Sequence, residues 1–320
     1  MGSKAFERPP RLGAGARVAL VAPAGPLLER DELTGGEELC RAMGFEPRLA
    51  THAGSRHGYL AGTDEQRLDD LNRALRDDSI DAIWCLRGGY GMTRILDAVD
   101  FAALKRKPRA VIGYSDITAL INAALLHCGL VTFHGPMSRT SLTAFSRKHF
   151  ERVLTTPSPA GRLDRIQPPA NVLVPREHRI VTLVPGVAEG PLLGGNLTLL
   201  QALIGTRHLP DLSGAILFLE DIGEDLYAID RMLAHLRSAG ALSKVAGVMI
   251  GRFSEMKRNS GDGALGFDEV LATYFEPLQV PVAYGFPIGH VDDQWTLPLG
   301  VMARLDASAG EVELLEPAVS

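Results

Sequence analysis

The sequence has few cysteines and no long apolar run, and both features exclude classes of protein. Its 320 residues include three cysteines, Cys40, Cys85 and Cys128, with no C-x-x-C pair. This pattern argues against a disulfide framework or a zinc site and favours a reducing compartment, so we expect a cytoplasmic protein. No run of about 18 apolar residues occurs. The charged N-terminus lacks the apolar core of a signal peptide, so we expect neither a membrane span nor a secretion signal.

An excess of positive charge is also missing. The formal net charge is −5, with 33 Lys and Arg residues against 38 Asp and Glu residues. Nothing in this balance favours nucleic acid or an anionic membrane surface as a partner. The G-x-G-x-x-G dinucleotide fingerprint and the G-x-x-x-x-G-K-[ST] phosphate loop are absent as well. The sequence therefore predicts no nucleic-acid or membrane binding.

What is present is an alternation of strand and helix patterns. The segments "RVALVAPAG", "DAIWCLRGGYG" and "RAVIGYSD" are apolar strands that run into glycine-bearing turns. Between the first two lies "TDEQRLDDLNRAL", which opens with Thr63 and Gln66 at capping-box spacing. Strands and helices in this order predict an α/β fold whose N-terminal part is a parallel sheet with helices on both faces.

A segment rich in proline divides the chain. We predict an N-terminal α/β domain over residues 1–154, a Pro-rich linker over 155–180, and a smaller mixed α/β C-terminal domain over 181–320. In the second part, a helix should begin at an Asn196 cap. "GAILFLED" is a strong strand, and "VMARLDASAGEVELLEP" predicts a C-terminal antiparallel hairpin.

Ser115 lies where a strand turns sharply into a helix, in "AVIGYSDITAL". One interpretation is a helix N-cap, because a serine hydroxyl accepts a hydrogen bond from a free backbone N–H of the first turn. The other is a nucleophile elbow, in which a strained strand-to-helix turn exposes the hydroxyl above the sheet edge. Gly113 provides one small neighbour, but Ile117 stands where the G-x-S-x-G pattern has its second glycine. The local pattern leaves both open.

Two further side chains are candidates for catalysis. Glu220 ends an apolar strand, and ligands of open α/β sheets gather beyond such strand ends. Capping of the next helix is better served by Asp225, which directly precedes it. His290 follows a strand, between glycine-bearing turns. Other histidines lie in turn-like contexts, and the residues alone do not choose among them: His52, His57, His134 and His178.

Eight sequence blocks, taken in order, resemble one known family. They are "VAPAGP", "YLAGTDEQRLDDLN", "LRGGYG", "GYSDIT", "GPLLGGNLTLLQALIGT", "LFLEDIGED", "YAIDRML" and "FPIGHVDDQWTLPLG". Together they resemble the LD-carboxypeptidases, a family of serine peptidases. The blocks extend from about residue 17 to about residue 305, nearly the whole chain.

The resemblance implies a role for each candidate. It makes Ser115 the nucleophile, Glu220 the acid and His290 the base, and it implies an oxyanion hole from the backbone N–H groups of Gly89 and Asp116. The residue types suit this chemistry, because serine needs a hydrogen-bonded base and histidine titrates in the right range. Glutamate would orient the imidazole. No metal or other cofactor is needed, and the roles of nucleophile and helix cap do not exclude each other at Ser115.

The resemblance divides into two substrate classes. One branch removes the terminal D-alanine of murein tetrapeptide during cytosolic recycling of the cell wall, and the other hydrolyses processed microcin C. The microcin branch uses an aromatic residue on a longer loop. Here the only tryptophans are Trp84 and Trp295, and the 155–180 segment has no aromatic residue. The sequence therefore favours a small murein peptide as the substrate.

Other interpretations and partners remain open. The turn of Arg87 to Gly91 could hold an anion in a binding module without catalysis, although Glu220 and His290 would then share no purpose. Glutamine amidotransfer is disfavoured because the elbow carries serine and not cysteine. Arg87 and Arg94 are candidates by charge alone for binding the substrate's carboxylates. Members of the family are often dimeric, so a homodimer is expected, with no interface located.

Overall fold

The computed structural model describes residues 6–29, 31–139, 141–167, 178–257 and 265–320. The strands, in chain order, are β1 Arg17–Val21, β2 Glu46–Leu49, β3 Ala82–Cys85, β4 Ala110–Gly113, β5 Thr132–His134, β6 Gly161–Arg162, β7 Val181–Val184, β8 Val187–Asn196, β9 Ile216–Ile222, β10 Gly247–Ser254, β11 Val282–Tyr284, β12 Leu297–Leu299, β13 Met302–Asp306 and β14 Glu311–Leu314.

The α-helices alternate with these strands through most of the chain. They are α1 Asp31–Ala42, α2 Asp64–Arg76, α3 Met92–Ile95, α4 Phe101–Arg106, α5 Thr118–Cys128, α6 Ala144–Leu154, α7 Leu197–Leu203, α8 Leu226–Ser238 and α9 Phe267–Phe275. Short 3₁₀ helices cover Leu96–Ala98, Ser115–Ile117 and Glu276–Leu278. No helix in the described part of the chain is both long and apolar enough to cross a membrane.

The first sheet has the strand order β12-β5-β4-β3-β1-β2. Strands β1 to β5 pair in parallel, as their alternation with helices predicts. At one edge β12 pairs antiparallel with β5, with Leu297 opposite His134. The α/β prediction is confirmed, with one addition: an antiparallel edge strand that comes from the far end of the chain.

The second sheet has the order β6-β14-β13-β8-β9-β10-β11-β7. Strands β8 to β11 are parallel. Antiparallel strands flank this centre, with β13, β14 and β6 on one side and β7 on the other. The mixed α/β architecture and the β13–β14 hairpin are therefore confirmed.

Helix α5 lies between the two sheets. It packs against β4 and β5 of the first sheet and against β8 and α7 beside the second. Nearly all of its side chains are buried, which explains why its sequence is apolar all round rather than on one face. The residues just before α5 therefore lie where the two sheets approach each other.

Local capping signals mostly behave as the sequence predicts. Thr63 and Gln66 form a reciprocal capping box at α2, and the Asn196 side chain accepts a hydrogen bond from the Leu199 N–H at α7. Asp225 directly precedes α8, but its side chain makes no capping hydrogen bond there. Asp225 therefore occupies the N-cap position of α8 without making the expected capping hydrogen bond.

The predicted linker of 155–180 lies partly outside the described residues, which omit 168–177. Its earlier part contributes β6, which pairs with β14. In addition, the Trp295 indole N–H donates to the Asp164 carbonyl at 2.9 Å. This part of the segment is thus bound to the second sheet and to the loop before β12. The domain limits at 154 and 181 stay predictions.

Candidate active site

The turn after β4 holds Ser115 in a strained backbone conformation. Its φ is +60°, in the left-handed region that L-residues other than glycine avoid. The 3₁₀ helix of Ser115–Ile117 follows directly, and α5 begins at Thr118. A serine on a strained strand-to-helix turn is the geometry of a nucleophile elbow.

Ser115 does not cap α5, so the cap interpretation is wrong. The residue before the 3₁₀ turn is Tyr114 and the residue before α5 is Ile117; neither position has a side-chain capping bond. The 3₁₀ turn separates Ser115 from the α-helix, and an N-cap residue normally has extended rather than left-handed backbone. The preference of serine for caps was a poor guide at this position.

The glycine turn after β3 packs directly on Ser115. A Cβ atom added to Gly88 would lie 2.8 Å from Ser115 Cβ, 2.9 Å from Ser115 Oγ and 3.2 Å from the Asp116 nitrogen. Only glycine permits this approach. In the described part of the chain, the backbone N–H groups of Gly89 and Asp116 have no acceptor. Both remain available as donors beside the serine.

Arg67 links the turn after β3 to the loop after β1 through hydrogen bonds to backbone carbonyl groups. The fully buried guanidinium donates from Nη1 to the carbonyl oxygens of Pro23 at 2.5 Å and Gly91 at 2.9 Å. Asp116 Oδ2 accepts the Met92 N–H at 2.7 Å, which ties the Ser115 turn to the same loop. Burial raises the pKa of Asp116 to about 6. No local motif marks Arg67, so the sequence alone does not identify it.

Glu220 and His290 form a buried hydrogen-bonded pair. Glu220 ends the central run of β9 with no exposed surface, and its Oε2 is 2.8 Å from His290 Nδ1. With Glu220 ionised, Nδ1 carries the proton of this bond and Nε2 is left as an acceptor. Burial raises the pKa of Glu220, and the bond to His290 opposes that rise. At Gly289 an added Cβ would lie 2.3 Å from Glu220 Oε2, so a side chain there would break the pair.

The imidazole of His290 meets the Ser115 turn through Tyr114. The two ring centroids are 4.8 Å apart at an interplanar angle of 61°. The Asn196 N–H donates to Thr118 Oγ1 at 3.1 Å and joins β8 to the start of α5. The structure therefore brings the Ser115 turn, Glu220 and His290 into one cluster, although they are far apart in sequence.

Comparison with known proteins matches this chain to one family over both sheets. The LD-carboxypeptidase N-terminal domain matches residues 18–135, and the LD-carboxypeptidase C-terminal domain matches residues 189–305. This chain belongs to the LD-carboxypeptidase family. The family and its carboxypeptidase relatives support a peptidase, that is, a hydrolase of peptide bonds.

Two curated relatives of the LD-carboxypeptidase chain carry murein in their names. The probable murein peptide carboxypeptidase of Bacillus subtilis is 34% identical over 98% of this chain and 95% of its own length. The murein tetrapeptide carboxypeptidase of Pseudomonas aeruginosa is 34% identical over 91% of this chain and 94% of its own length.

Solved structures share the fold of this chain. The muramoyltetrapeptide carboxypeptidase of Oxalobacter formigenes superposes with a TM-score of 0.78 at 34% identity, over 93% of this chain and 98% of that one. The microcin C7 self-immunity protein MccF, as an inactive mutant without ligand, superposes with a TM-score of 0.87 at 25% identity, over 98% of this chain and 99% of that one.

The other histidines of this family member are poorly suited as bases for Ser115. His134 lies in β5 with no exposed surface, and its ring centroid is 5.7 Å from that of Tyr114. Burial, with a smaller effect of His290, lowers the pKa of His134 to about 3, so it is a weak base. His52 is bound to Asp70 at 2.9 Å. His57 and His178 make no contact with Ser115 or Glu220 among the described residues.

One group of described side chains has the composition of a metal site, namely His52, Asp69 and Asp70. Its atoms already have protein partners. The Asp70 carboxylate accepts a hydrogen bond from the backbone N–H of His52 at 2.8 Å and also contacts Nδ1 of the His52 ring. Asp69 forms an ion pair with Arg73 at 2.8 Å. The group lies apart from Ser115 and carries no argument for a metal.

The two arginines suggested for carboxylate binding differ in availability. Arg94 is held by Asp64, with Nη2 to Oδ2 at 2.7 Å and Nε to Oδ1 at 2.9 Å. Arg87 is partly buried directly before Gly88 and donates to the Pro26 carbonyl. Arg87 therefore stays a candidate, whereas the guanidinium of Arg94 already binds the carboxylate of Asp64.

Proposed function

We propose that this protein is a serine carboxypeptidase of cytosolic cell-wall recycling. It hydrolyses the L,D-peptide bond before the terminal D-alanine of murein tetrapeptide. The observation that carries the proposal is the strained Ser115, at φ +60°, directly after Tyr114, whose ring contacts His290 of the buried Glu220–His290 pair. Strain of this kind persists only where the surrounding structure holds it, and it clusters at active sites.

In the first half-reaction, Ser115 Oγ attacks the carbonyl carbon of the scissile bond. His290 Nε2 accepts the hydroxyl proton, and Glu220 stabilises the imidazolium through the Nδ1 proton. The carbonyl oxygen becomes an oxyanion, which accepts hydrogen bonds from the backbone N–H groups of Gly89 and Asp116. When the C–N bond breaks, His290 returns the proton to the amine of D-alanine, which leaves.

The second half-reaction reverses the same proton path. Water attacks the ester carbon of the acyl-enzyme while His290 Nε2 takes its proton. The tetrahedral intermediate collapses, and the proton goes back to Ser115 Oγ. The tripeptide is released with a new carboxylate, and no metal enters the sequence of steps.

Two observations support the murein peptide as the substrate: the names of several relatives, and the absence of aromatic residues from the 155–180 segment. Two curated relatives and one solved structure bear the murein or muramoyltetrapeptide name at 34% identity. The 155–180 segment has no aromatic residue to stack on a nucleobase. Processed microcin C is the second candidate, since the self-immunity protein MccF shares the fold at a TM-score of 0.87.

Mass spectrometry of four incubations tests the proposal. The substrates are L-alanyl-γ-D-glutamyl-meso-diaminopimelyl-D-alanine, the pentapeptide with a second D-alanine, an all-L tetrapeptide and processed microcin C. We expect cleavage of the first alone. The pentapeptide ends in a bond between two D-centres, and the all-L peptide places a side chain where the leaving carboxylate belongs, which spoils the attack geometry.

Ser115→Ala should abolish this turnover, and Ser158→Ala is the matched control because Ser158 is exposed and remote from the cluster. Cleavage of microcin C alone would transfer the proposal to the second candidate. A folded protein that cleaves none of the four would refute both.

A further inference from the structure

Arg87 lies one residue before the turn that touches the nucleophile. It precedes Gly88, whose added Cβ would lie 2.9 Å from Ser115 Oγ. One Nη1 hydrogen bond to the Pro26 carbonyl fixes the Arg87 side chain against the loop after β1. The remaining guanidinium N–H groups have no acceptor among the described residues.

Arg139 reaches the same place from the loop after β5. The Ser138 N–H donates to the Cys85 carbonyl at 3.1 Å, so residues 138 and 139 lie beside the end of β3. Arg139 Nη1 is 2.6 Å from Glu32 Oε1. The other Glu32 oxygen accepts hydrogen bonds from the backbone N–H groups of Leu28 and Glu29, which follow Pro26 closely in the chain. Arg87, bound to Pro26, and Arg139, bound to Glu32, are thus held at neighbouring points after β1.

The charges that act most strongly on Arg87 are mainly positive. Arg139 and Arg56 both act on its guanidinium, and Glu32 is the carboxylate that opposes them. Glu32 is already paired with Arg139. Partial burial lowers the pKa of Arg87, and the charge of Arg139 lowers it further. Like charges kept together where they are partly buried destabilise the fold, and such arrangements cluster at functional sites.

We propose that Arg87 and Arg139 form the subsite for the C-terminal carboxylate of the peptide substrate. The proposal rests on the carboxypeptidase function proposed above. A planar guanidinium binds a carboxylate through two parallel hydrogen bonds, which fixes position as well as charge. Bound beside the Ser115 turn, the carboxylate would place the last peptide bond, and no internal bond, at the nucleophile. Glu32 would keep Arg139 oriented.

Kinetics with paired substrates test the subsite. The tetrapeptide and its C-terminal D-alaninamide differ only in the terminal charge. For wild-type enzyme we expect kcat/KM to be at least about tenfold higher on the acid, because hydrogen bonds to charged groups are the stronger class. Arg87→Gln and Arg139→Gln should lose most of this preference, because hydrolysis of the acid should slow much more than hydrolysis of the amide. Arg147→Gln is the control, since Arg147 is an exposed residue of α6 paired with Glu151.

A binding measurement separates this inference from the proposed function. N-acetyl-D-alanine and N-acetyl-D-alaninamide are titrated into each protein and followed by calorimetry or NMR, without any turnover. We expect the acid to bind wild-type protein at least about tenfold more tightly than the amide, and each Gln variant to lose that difference. If the tetrapeptide is not cleaved but this binding pattern holds, the proposed function fails and the subsite stands.

Three results would overturn the subsite. One is an acid preference that survives in both Gln variants, and the second is an equal loss of activity on acid and amide, which would indicate a distorted oxyanion turn. The third is wild-type binding of the acid no tighter than binding of the amide. In each case tetrapeptide turnover by the wild-type enzyme still decides the proposed function separately.

Discussion

The backbone strain at Ser115 predicts that glycine there makes the protein more stable while removing its activity. A non-glycine residue in the left-handed region costs about 1–2 kcal/mol. Ser115 has φ +60°, and alanine at this position would keep the same conformation and the same cost. Ser115→Gly removes the cost, but glycine also loses about 0.4–1 kcal/mol more conformational entropy on folding. The balance favours Ser115→Gly over Ser115→Ala by about 0.5–1 kcal/mol.

Thermal unfolding by differential scanning calorimetry can resolve this difference. For a chain of this size we expect the midpoint of Ser115→Gly to lie about 1–2 °C above that of Ser115→Ala. Both variants should lack peptidase activity because both lack the hydroxyl. Gln279 offers a matched control, since it is exposed, lies far from the cluster and has φ +54°. Gln279→Gly should likewise exceed Gln279→Ala in midpoint, with full activity in both.

One pattern would refute the reasoning. If Gln279→Gly is more stable than Gln279→Ala, but Ser115→Gly is less stable than Ser115→Ala, then the backbone at Ser115 is not strained. The elbow interpretation would lose its support from geometry. The loss of activity in Ser115→Ala would then rest on the hydroxyl alone.

The remaining predictions concern the same cluster. If Ser115 and His290 act as one unit, the double alanine variant should be about as slow as either single variant in kcat, and multiplicative losses would reject the pairing. Glu220→Gln should lower kcat by up to about 10⁴-fold without unfolding the protein, as judged by circular dichroism. Because the pKa of Asp116 is raised to about 6, its contribution to stability is present below about pH 4 and is lost as the pH rises through 6. Asp116→Asn keeps an acceptor for the bound N–H and should flatten this dependence in denaturant titrations at pH 4.5 and 8. Gly88→Ala would place a methyl group 2.9 Å from Ser115 Oγ, so we expect a folded enzyme with kcat reduced more than about tenfold.

Much of the fold follows from local patterns, and the exceptions have a physical cause. The parallel order of β1 to β5 follows from apolar strands alternating with helices, and the β13–β14 hairpin follows from two short strands around a turn. Local sequence patterns do not predict strand β12. It has three residues with Pro298 at its centre, and it is a strand only because it pairs at the edge beside β5, where proline is tolerated.

The candidate site was less accessible to sequence reasoning than the fold. The residues alone left Ser115 undecided between a cap and a nucleophile, and they gave no reason to prefer His290. The family resemblance supplied both assignments. Arg67 and Arg139 could not be found from the sequence, because their partners come from distant loops and no local spacing marks them.

The late position of β12 in the chain has a consequence for synthesis. Strands β1 to β5 lie in the first half of the sequence, yet the β5 edge is covered by residues that are synthesised only after β8 to β11 of the second sheet. Until β12 has been made, the edge of β5 is unpaired in the nascent chain. Unpaired strand edges of this kind can pair with strands of other molecules and cause aggregation. His290 lies shortly before β12, so the same event that covers the edge also brings its imidazole to Tyr114, beside Ser115. A nascent chain that has not reached His290 has the Ser115 turn without this imidazole, so under the proposed mechanism it has no peptidase activity.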